Sequence, residues 1–465
     1  MAINSKHKQY IKNIDNWINV DNVVDSDGVE QYLVYLNPLD TSDLNKARNN
    51  AYKGRAVFYA LAGQTVQGML GMAFSKAPSI NIPPNLEYLK KNADGYGNSI
   101  YQQSQVVLKE IIKKSRCALY VSFPVVEGPI SKADMVSGKY VANINQIDAK
   151  QVINWAHETV GSITKLSFVA IEDAEETTVE DYSVNETKII RELFLEDGIY
   201  KECKHTMNDK GEWIAGEVRT PTDAAGKTWD YIPFTFIGAS SNDSNVDPIN
   251  LLPLVMLNIA HYRNSADFED SVWFAGQAQP WMSGVTQEHI NLMQKNCMYV
   301  GSRNLLAVPE DGQFGFASAP PNPAVRQAML DKIDMMVGIG ARMIQPGGVA
   351  KTAEQSHAEK EIQHSVLSLM VSNVNEAYTL CLSWCERYMG ASASPDLEYA
   401  IDTSFMEHIS DTAEMKEVII GFLGGAVPMS DYIRYMKKRG IFDDETSVED
   451  YAEKLNLVSG GAGGE

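Results

Sequence analysis

Thr352 to Met389 reads TAEQSHAEKEIQHSVLSLMVSNVNEAYTLCLSWCERYM, with no Gly and no Pro. Apolar residues recur three and four apart: Ile362, Val366, Leu369, Met370, Ala377, Leu380, Cys381 and Trp384. That spacing puts one stripe on one face of a helix, with Asn373 as its one polar member. Thr352 can cap the start, and Gly390 follows the end. Such a helix would be roughly 57 Å long at 1.5 Å per residue. Helices beyond about 25 residues point to a scaffold, a coiled coil or an assembly. The plainer alternative is a long core helix of an α-rich domain.

Outward from that helix, the whole chain sets bounds. Its 465 residues suffice for two to four domains, and 44% hydrophobic content can fill ordinary cores. Forty Lys and Arg stand against 60 Asp and Glu, a formal net charge of −20. An acidic protein of this size has no global footprint for wrapping nucleic acid, although it could line a channel through which DNA slides without sticking. The five cysteines, Cys117, Cys203, Cys297, Cys381 and Cys385, are scattered and odd in number. They read as thiols of a reducing compartment, with no disulfide framework. MAINSKHKQYIKNI at the start lacks the apolar core of a signal peptide, and no run reaches eighteen apolar residues. The expectation is a soluble chain made in a cytoplasm.

Along the chain, residues 1–50 are polar, with apolar content around Trp17 to Val24 and Tyr32 to Leu39. Asp40 to Leu61 reads as a helix capped by Asp40; Gly63 to Met72 can continue it, weakened by Gly68 and Gly71, and Lys76-Ala77-Pro78 stops it. A short helix is expected from Asn85 to Asn92, and Ser99 should cap another from Ile100 to Lys114. From Arg116 the period changes to that of strands. Candidates are Arg116 to Pro124, Tyr140 to Ile144, Leu166 to Glu172, Thr187 to Leu195, Gly198 to Lys204, Gly211 to Glu217 and Tyr231 to Ile237. Gln146 to Val152 suits a short helix between them. Turns are expected at Glu196 to Gly198 and Asn208 to Gly211.

A helix starting near Asp247-Pro248 or Asn250 should run to about Phe274. Gly276 to Pro323 is an excursion of short elements, followed by a helix from Ala324 to about Met343. QPGGVAK, Gln345 to Lys351, is a loop. Beyond Gly390, an extended piece (Glu398 to Phe405) precedes helices at Thr412 to Leu423, Ser430 to Arg439 and 443–454, then the Gly-rich tail.

No stretch assembles an active site. Gly63, Gly68 and Gly71 do not follow a strand, so they fail as a dinucleotide fingerprint. QPGGVAKT lacks the full phosphate-loop pattern. His261, Arg263 and Asp267 share a helix, where satisfied polar groups at a helix or subunit contact explain them better than a catalytic set. His357 and His364 lack metal-pair spacing. Asp94 to Gly97 reads as a turn, and Lys437-Lys438-Arg439 as a helix end suited to the dipole. No catalytic residue, cofactor or metal ligand is assigned.

Several stretches together resemble the portal protein, or head-to-tail connector, of tailed double-stranded DNA bacteriophages. They are Ala51-Tyr52 to Phe74-Ser75-Lys76-Ala77-Pro78, Asp94-Gly95-Tyr96-Gly97-Asn98-Ser99, Arg116 to Pro124, Asn258 to Gly284 (NIAHYRNSADFEDSVWFAGQAQPWMSG) and Thr352 to Gly390. The resemblance implies an α+β, mostly helical portal fold: a β-rich wing module, a stem helix pair, a small clip, a long wing helix and a helical crown. The wing would take 1–248, the first stem helix 249–273, the clip 274–323 and the second stem helix 324–343. A tunnel loop would fall at 344–352, the long wing helix and linker at 353–404, the crown at 405–458 and a flexible tail at 459–465.

The resemblance further implies a ring, commonly of twelve copies, at the portal vertex of the virion, made in the host bacterial cytoplasm. Its partners would be the major capsid protein, scaffolding protein, the large terminase subunit, then tail adaptor or head-completion proteins, with no membrane. Double-stranded DNA would pass without sequence readout during packaging and ejection. Arg326, Lys332, Arg342 and Lys351 would sit near the channel, and the tunnel loop Gln345 to Lys351 would move on Gly347 and Gly348. The chain would be no enzyme, since a separate terminase spends ATP.

The residues agree on physical grounds: small side chains such as Ala260, Ser265, Ala266, Gly338, Gly340 and Ala341 allow close helix approach. A ring grows from one face of each copy against another face of the next, and an acidic bore guides phosphates without holding them. Two other readings stay open. One is a ring-forming head or tail adaptor that is not the portal. The other is an α/β enzyme with helical insertions, which would need a pocket joining His261, Arg263 and Asp267 to a carboxylate from another segment.

Overall fold

The computed structural model describes residues 2–124, 140–178, 184–208, 210–277, 279–295, 308, 311–317, 323–344, 366–390, 394–403, 418–422, 427–438 and 447. In chain order come α1 (Lys8–Asp25), α2 (Asp43–Arg55), α3 (Leu61–Ala73), β1 (Ser79–Asn81), a 3-10 helix (Pro84–Lys90), α4 (Ile100–Lys114) and β2 (Arg116–Ser122). Next are β3 (Asn143–Asp148), β4 (Val152–Val160), β5 (Ile163–Thr178), β6 (Val184–Glu196), β7 (Ile199–Met207), β8 (Trp213–Arg219) and β9 (Phe234–Gly238). The remainder is α5 (Leu252–Gly276), β10 (Gln279–Met282), α6 (Gln287–Lys295), β11 (Phe314–Ala317), α7 (Pro323–Ile344), α8 (Val366–Tyr388), β12 (Glu398–Ala400) and α9 (Met429–Lys438). Helices and antiparallel sheets are segregated, an α+β arrangement.

The chain divides into two compact units: Met1–Trp17 with Val66–Asn250 and Arg342–Glu465, and Ile18–Thr65 with Leu251–Ala341.

In the first unit, a three-stranded antiparallel sheet of order β3-β2-β9 carries α4 and α8. β2 (RCALYVS) is buried over its first six residues, as its continuous apolar run requires. Ser99 Oγ accepts the Gln102 N–H at 3.1 Å, and Gln102 Oε1 accepts the Ser99 N–H at 3.1 Å, a capping box that starts α4 where the sequence indicated. Asn373, the polar member of the α8 stripe, donates from Nδ2 to the carbonyl of Gly238 at the end of β9, at 2.9 Å. The buried face of α8 includes Met370, Ala377, Cys381 and Trp384 of the expected stripe and is wider than that stripe. Leu367, Val371, Val374, Tyr378, Leu382 and Cys385 are buried, whereas Leu369 and Leu380 are exposed. The reason is that α8 lies against both α4 and the sheet, so a wide face is covered. The expected start of that helix at Thr352 lies outside the described residues.

The same unit holds a five-stranded antiparallel meander of order β4-β5-β6-β7-β8. Asp197 and Gly198 both take positive φ, the geometry of a tight hairpin, and pair Glu196 with Ile199. Four expected strands thus appear as β5 to β8 with shifted ends, and β4 joins them unanticipated. The expected helix at Gln146 to Val152 is corrected: those residues finish β3, turn and enter β4. Asp148 makes the turn, its Oδ1 accepting the Lys150 N–H at 2.7 Å while Gln151 Oε1 accepts the Asp148 N–H at 2.9 Å. β1, read as loop, pairs antiparallel with β12.

In the second unit, Val29, Leu33, Tyr52, Tyr262 and Ala266 form a core, with Tyr32, Ala56 and Phe58 packed on it. Asp40 to Leu61 is not one helix. Ser42, not Asp40, caps α2 by accepting the Asn45 N–H at 3.3 Å, and α2 stops at Arg55. Ser265 draws the chain out of the helix there: its Oγ accepts the Val57 N–H at 3.1 Å and lies 2.7 Å from the Val57 carbonyl oxygen. Both backbone groups of Val57 are satisfied without a helical turn.

Candidate functional site

α5 and α7 form an antiparallel helical pair around a small excursion. Lys332 Nζ donates to Asn264 Oδ1 at 2.7 Å, and at Gly340 an added Cβ would lie 4.0 Å from Leu254 Cδ1 and 3.2 Å from Thr65 Cγ2. Between these contacts the chain moves ten residues forward on α5 and eight back on α7, so the two run in opposite directions. Met329, Met336 and Met343, seven apart, are buried on α7. Gly340 keeps the same stripe narrow where the backbone approaches its neighbours.

The exposed side of this arm carries large apolar side chains among polar ones such as Gln327, Asp331 and Asp334. On α7, Leu330 and Val337 stand seven apart and exposed, Val337 at 61%, and Met335 is 56% exposed. At the end of α5, Val272, Trp273 and Phe274 are exposed. In the excursion β10 and β11 pair with Trp281 opposite Gly315. A Cβ on Gly315 would come within 2.9 Å of the Trp281 indole, so glycine lets the ring lie flat across the strand. Phe316 is 57% exposed, and Trp281 and Leu292 are exposed as well. Large apolar side chains scattered singly are ordinary, but a run of them along one helical arm marks an interaction surface.

The polar side of α5 is a ladder of clamps on residues 32–62. Asn258 accepts the Ala62 N–H at 3.0 Å and donates to the Tyr59 carbonyl at 2.8 Å. Arg263 Nε donates to the Tyr32 carbonyl at 2.9 Å, and Tyr52 donates its hydroxyl to Asp267 Oδ1 at 2.7 Å. Asp270 takes both terminal nitrogens of Arg48, at 2.7 and 2.6 Å, and Nη1 of Arg55 at 2.7 Å. The Arg55 guanidinium also lies 3.9 Å from the Trp273 ring centroid. These hydrogen bonds hold the Asp270 carboxyl below its ordinary range, Arg48 contributing most.

Arg263 and Asp267 are therefore structural groups with partners. His261 between them is buried, and neither ring nitrogen has a hydrogen-bond partner. Its ring meets that of Tyr59 edge-on at 5.0 Å. Burial, and then the charge of Lys332, push its pKa down, so it is neutral near pH 7.

Of the expected channel residues, Arg326 is exposed on α7, whereas Lys332 is half-buried against α5 and also donates to the Ala328 carbonyl at 3.3 Å. Six residues apart, the two lie about 120° apart around the helix and share no face. Arg342 lies in the last turn of α7. Gln345, Gly347, Gly348 and Lys351 lie outside the described residues, as do His357, His364 and Cys297. Gly63 is a close-packing glycine, since a Cβ there would meet the Val24 carbonyl oxygen at 2.6 Å. Asp94 closes a turn by accepting the Tyr96 N–H at 2.8 Å. Cys117, Cys203, Cys381 and Cys385 are free and buried.

One cluster in the meander was not anticipated. Glu192 on β6 stands directly opposite Cys203 on β7, and His205 follows two residues on. A carboxylate oxygen, Sγ and a ring nitrogen of the three lie within 4.8 Å of one another. The signal was present in the sequence: a tight turn at Asp197-Gly198 sets a register that brings Glu192 to Cys203, and the i, i+2 spacing puts His205 on the same face.

A family model described as a domain of unknown function, DUF4055, matches residues 250–389. No curated protein matches. Among solved structures, one described as the neck of an empty GTA particle computed with C6 symmetry matches with a TM-score of 0.37 and 13% identity. The match covers 88% of this chain and 95% of that one, a likeness too slight to establish a shared fold.

Proposed function

We propose that this chain is the portal protein of a tailed double-stranded DNA bacteriophage. In this reading it forms a structural ring at the capsid vertex through which DNA is packaged and ejected. The observation that carries the reading is the antiparallel α5–α7 arm, which exposes Leu330 and Val337 on one face of α7, and Trp273 and Phe274 at the end of α5, to solvent. A single copy leaves that face wet, and neighbouring copies would cover it. About 25 cal/mol per Å² of buried apolar surface then favours assembly. The net charge of −20 supports a bore that guides phosphates without holding them. Arg326, Arg342 and Lys351 are the cations we assign to weak, sequence-independent DNA contact, and Gln345 to Lys351 to the tunnel loop. The clip would be the β10–α6–β11 excursion, which meets the terminase motor and later the tail adaptor.

The test is mass by light scattering followed by negative-stain imaging, alone and with scaffolding and major capsid proteins. A ring of about a dozen copies around a hole is the expected result. A monomer or dimer under every condition would overturn the reading. A ring that binds adaptor proteins but does not support terminase-driven packaging would favour the head or tail adaptor instead.

A further inference from the structure

We propose that Glu192, Cys203 and His205 form a binding site for a borderline-soft divalent cation of the zinc class. Three different ligand types converge on one face of two neighbouring strands, with their donor atoms within 4.8 Å of one another. His205 Nε2 and Glu192 Oε2 are 2.7 Å apart. Zinc bonds of about 2.0–2.3 Å place tetrahedral ligands roughly 3.3–3.8 Å from each other. The three side chains therefore need only rotamer adjustment, chiefly of the half-buried Glu192, to admit an ion between them.

The backbone around the cluster is shaped for it. The β7–β8 pairing is interrupted by a register shift between Cys203 and His205. Gly216 sits at that shift, where a Cβ would come within 2.7 Å of the Lys204 carbonyl oxygen. Cys203 Sγ lies 3.6 Å from the Gly216 carbonyl oxygen. Bulges of this kind re-aim side chains and recur beside functional sites. Cys203 and His205 are nearly covered, at 5% and 9% exposure, so their positions are fixed by packing before any ion arrives.

Thiolate, imidazole and carboxylate together select zinc, cobalt or cadmium over magnesium or calcium, which need oxygen donors. On binding, the Cys203 S–H bond breaks, the S–metal bond forms and the proton leaves to solvent. The proton that His205 Nε2 holds toward Glu192 moves to Nδ1 or leaves to solvent, and the freed Nε2 lone pair meets the metal. Three protein ligands leave a fourth position for water. Because binding displaces the thiol proton, affinity rises with pH.

The experiment is titration of chelator-treated full-length protein with Co²⁺, then Zn²⁺, followed by absorbance and by thermal unfolding. One cobalt per chain with a near-ultraviolet thiolate band, displaced by zinc, is the expected result. Cys203→Ser should abolish that band, and His205→Ala should weaken zinc binding roughly tenfold or more. Glu192→Gln keeps the shape of the side chain and should weaken binding while leaving the metal-free melting temperature near wild type, which separates ligation from misfolding. No thiolate band in the wild type, or an unchanged band in Cys203→Ser, would overturn the site. None of these readouts depends on ring formation.

Discussion

Asn258 holds the backbone of Ala62: its Oδ1 accepts the Ala62 N–H at 3.0 Å, and its Nδ2 donates to the Tyr59 carbonyl at 2.8 Å. The side chain is buried, so one amide satisfies two groups that the break between α2 and α3 would otherwise strand. Asn258→Ala should cost about 2–3 kcal/mol, since each unsatisfied buried group costs about 1–3 kcal/mol. Urea unfolding would measure the loss, and hydrogen exchange should show it concentrated at residues 57–62.

Asp270 joins α5 to Arg48 and Arg55 of α2. Asp270→Asn should cost about 1 kcal/mol near pH 7, the modest value expected because Arg48 is largely solvated. The folded-state pKa of Asp270 is lowered. Its contribution is therefore fully present above the unfolded value of about 4 and is lost as pH falls through the folded value. Melting curves of wild type and variant should converge on acidification below about pH 4.

His261 acts with the opposite chemistry. It is buried without a hydrogen-bond partner, and its folded-state pKa is lowered from 6.5. Below that value the unfolded chain binds the proton and the folded chain resists it, so stability falls as pH drops through about 6.5. His261→Leu should flatten this part of the stability–pH curve between pH 7 and 5. It should also be neutral or stabilising at pH 7, because no hydrogen bond is lost.

Gly238 ends β9 under a tight backbone. A Cβ would lie 2.3 Å from the Ser241 carbonyl oxygen and 2.4 Å from Asp247 Oδ2, and the Gly238 carbonyl receives Asn373 from α8. Gly238→Ala should destabilise by about 2–3 kcal/mol, in the range of overpacking a full site. Gly68→Ala, where a Cβ meets nothing within 4 Å, should stabilise slightly through helix propensity. Thermal melts of the pair would check both signs.

Leu330 and Val337 lie on one exposed face of α7. Leu330→Glu and Val337→Glu should leave the monomer's melting temperature within about 2–4 °C. If copies cover this face, charges there should shift the light-scattering mass toward smaller species. An unchanged oligomer in the double variant would move the subunit contact away from this face.

Local signals read well where chemistry was local. The Ser99–Gln102 capping box, the buried run of β2, the Asp197-Gly198 hairpin turn and the helices flanking the excursion were legible, because caps, turns and periodicity act over a few residues. Arg263 and Asp267 were legible as satisfied polar groups, unlike His261, whose ring nitrogens have no hydrogen-bond partner, but their partners were not. Those come from residues 32–62, some two hundred positions earlier in the chain. The same distance explains the misread helix at Asp40 to Leu61. Propensity favours continuing it, and only Ser265, placed by folding, outcompetes the helical hydrogen bonds at Val57.

By itself, then, the sequence determined the type of the strongly patterned elements, the acidic balance and the absence of any recognisable catalytic motif, since each depends on composition or on spacing within one element. Tertiary structure decided how wide a face α8 buries, which cations of α7 reach solvent, and that Glu192, Cys203 and His205 share one face. Those outcomes depend on register and packing between segments distant in the chain, where a shift of one residue reverses what a side chain meets.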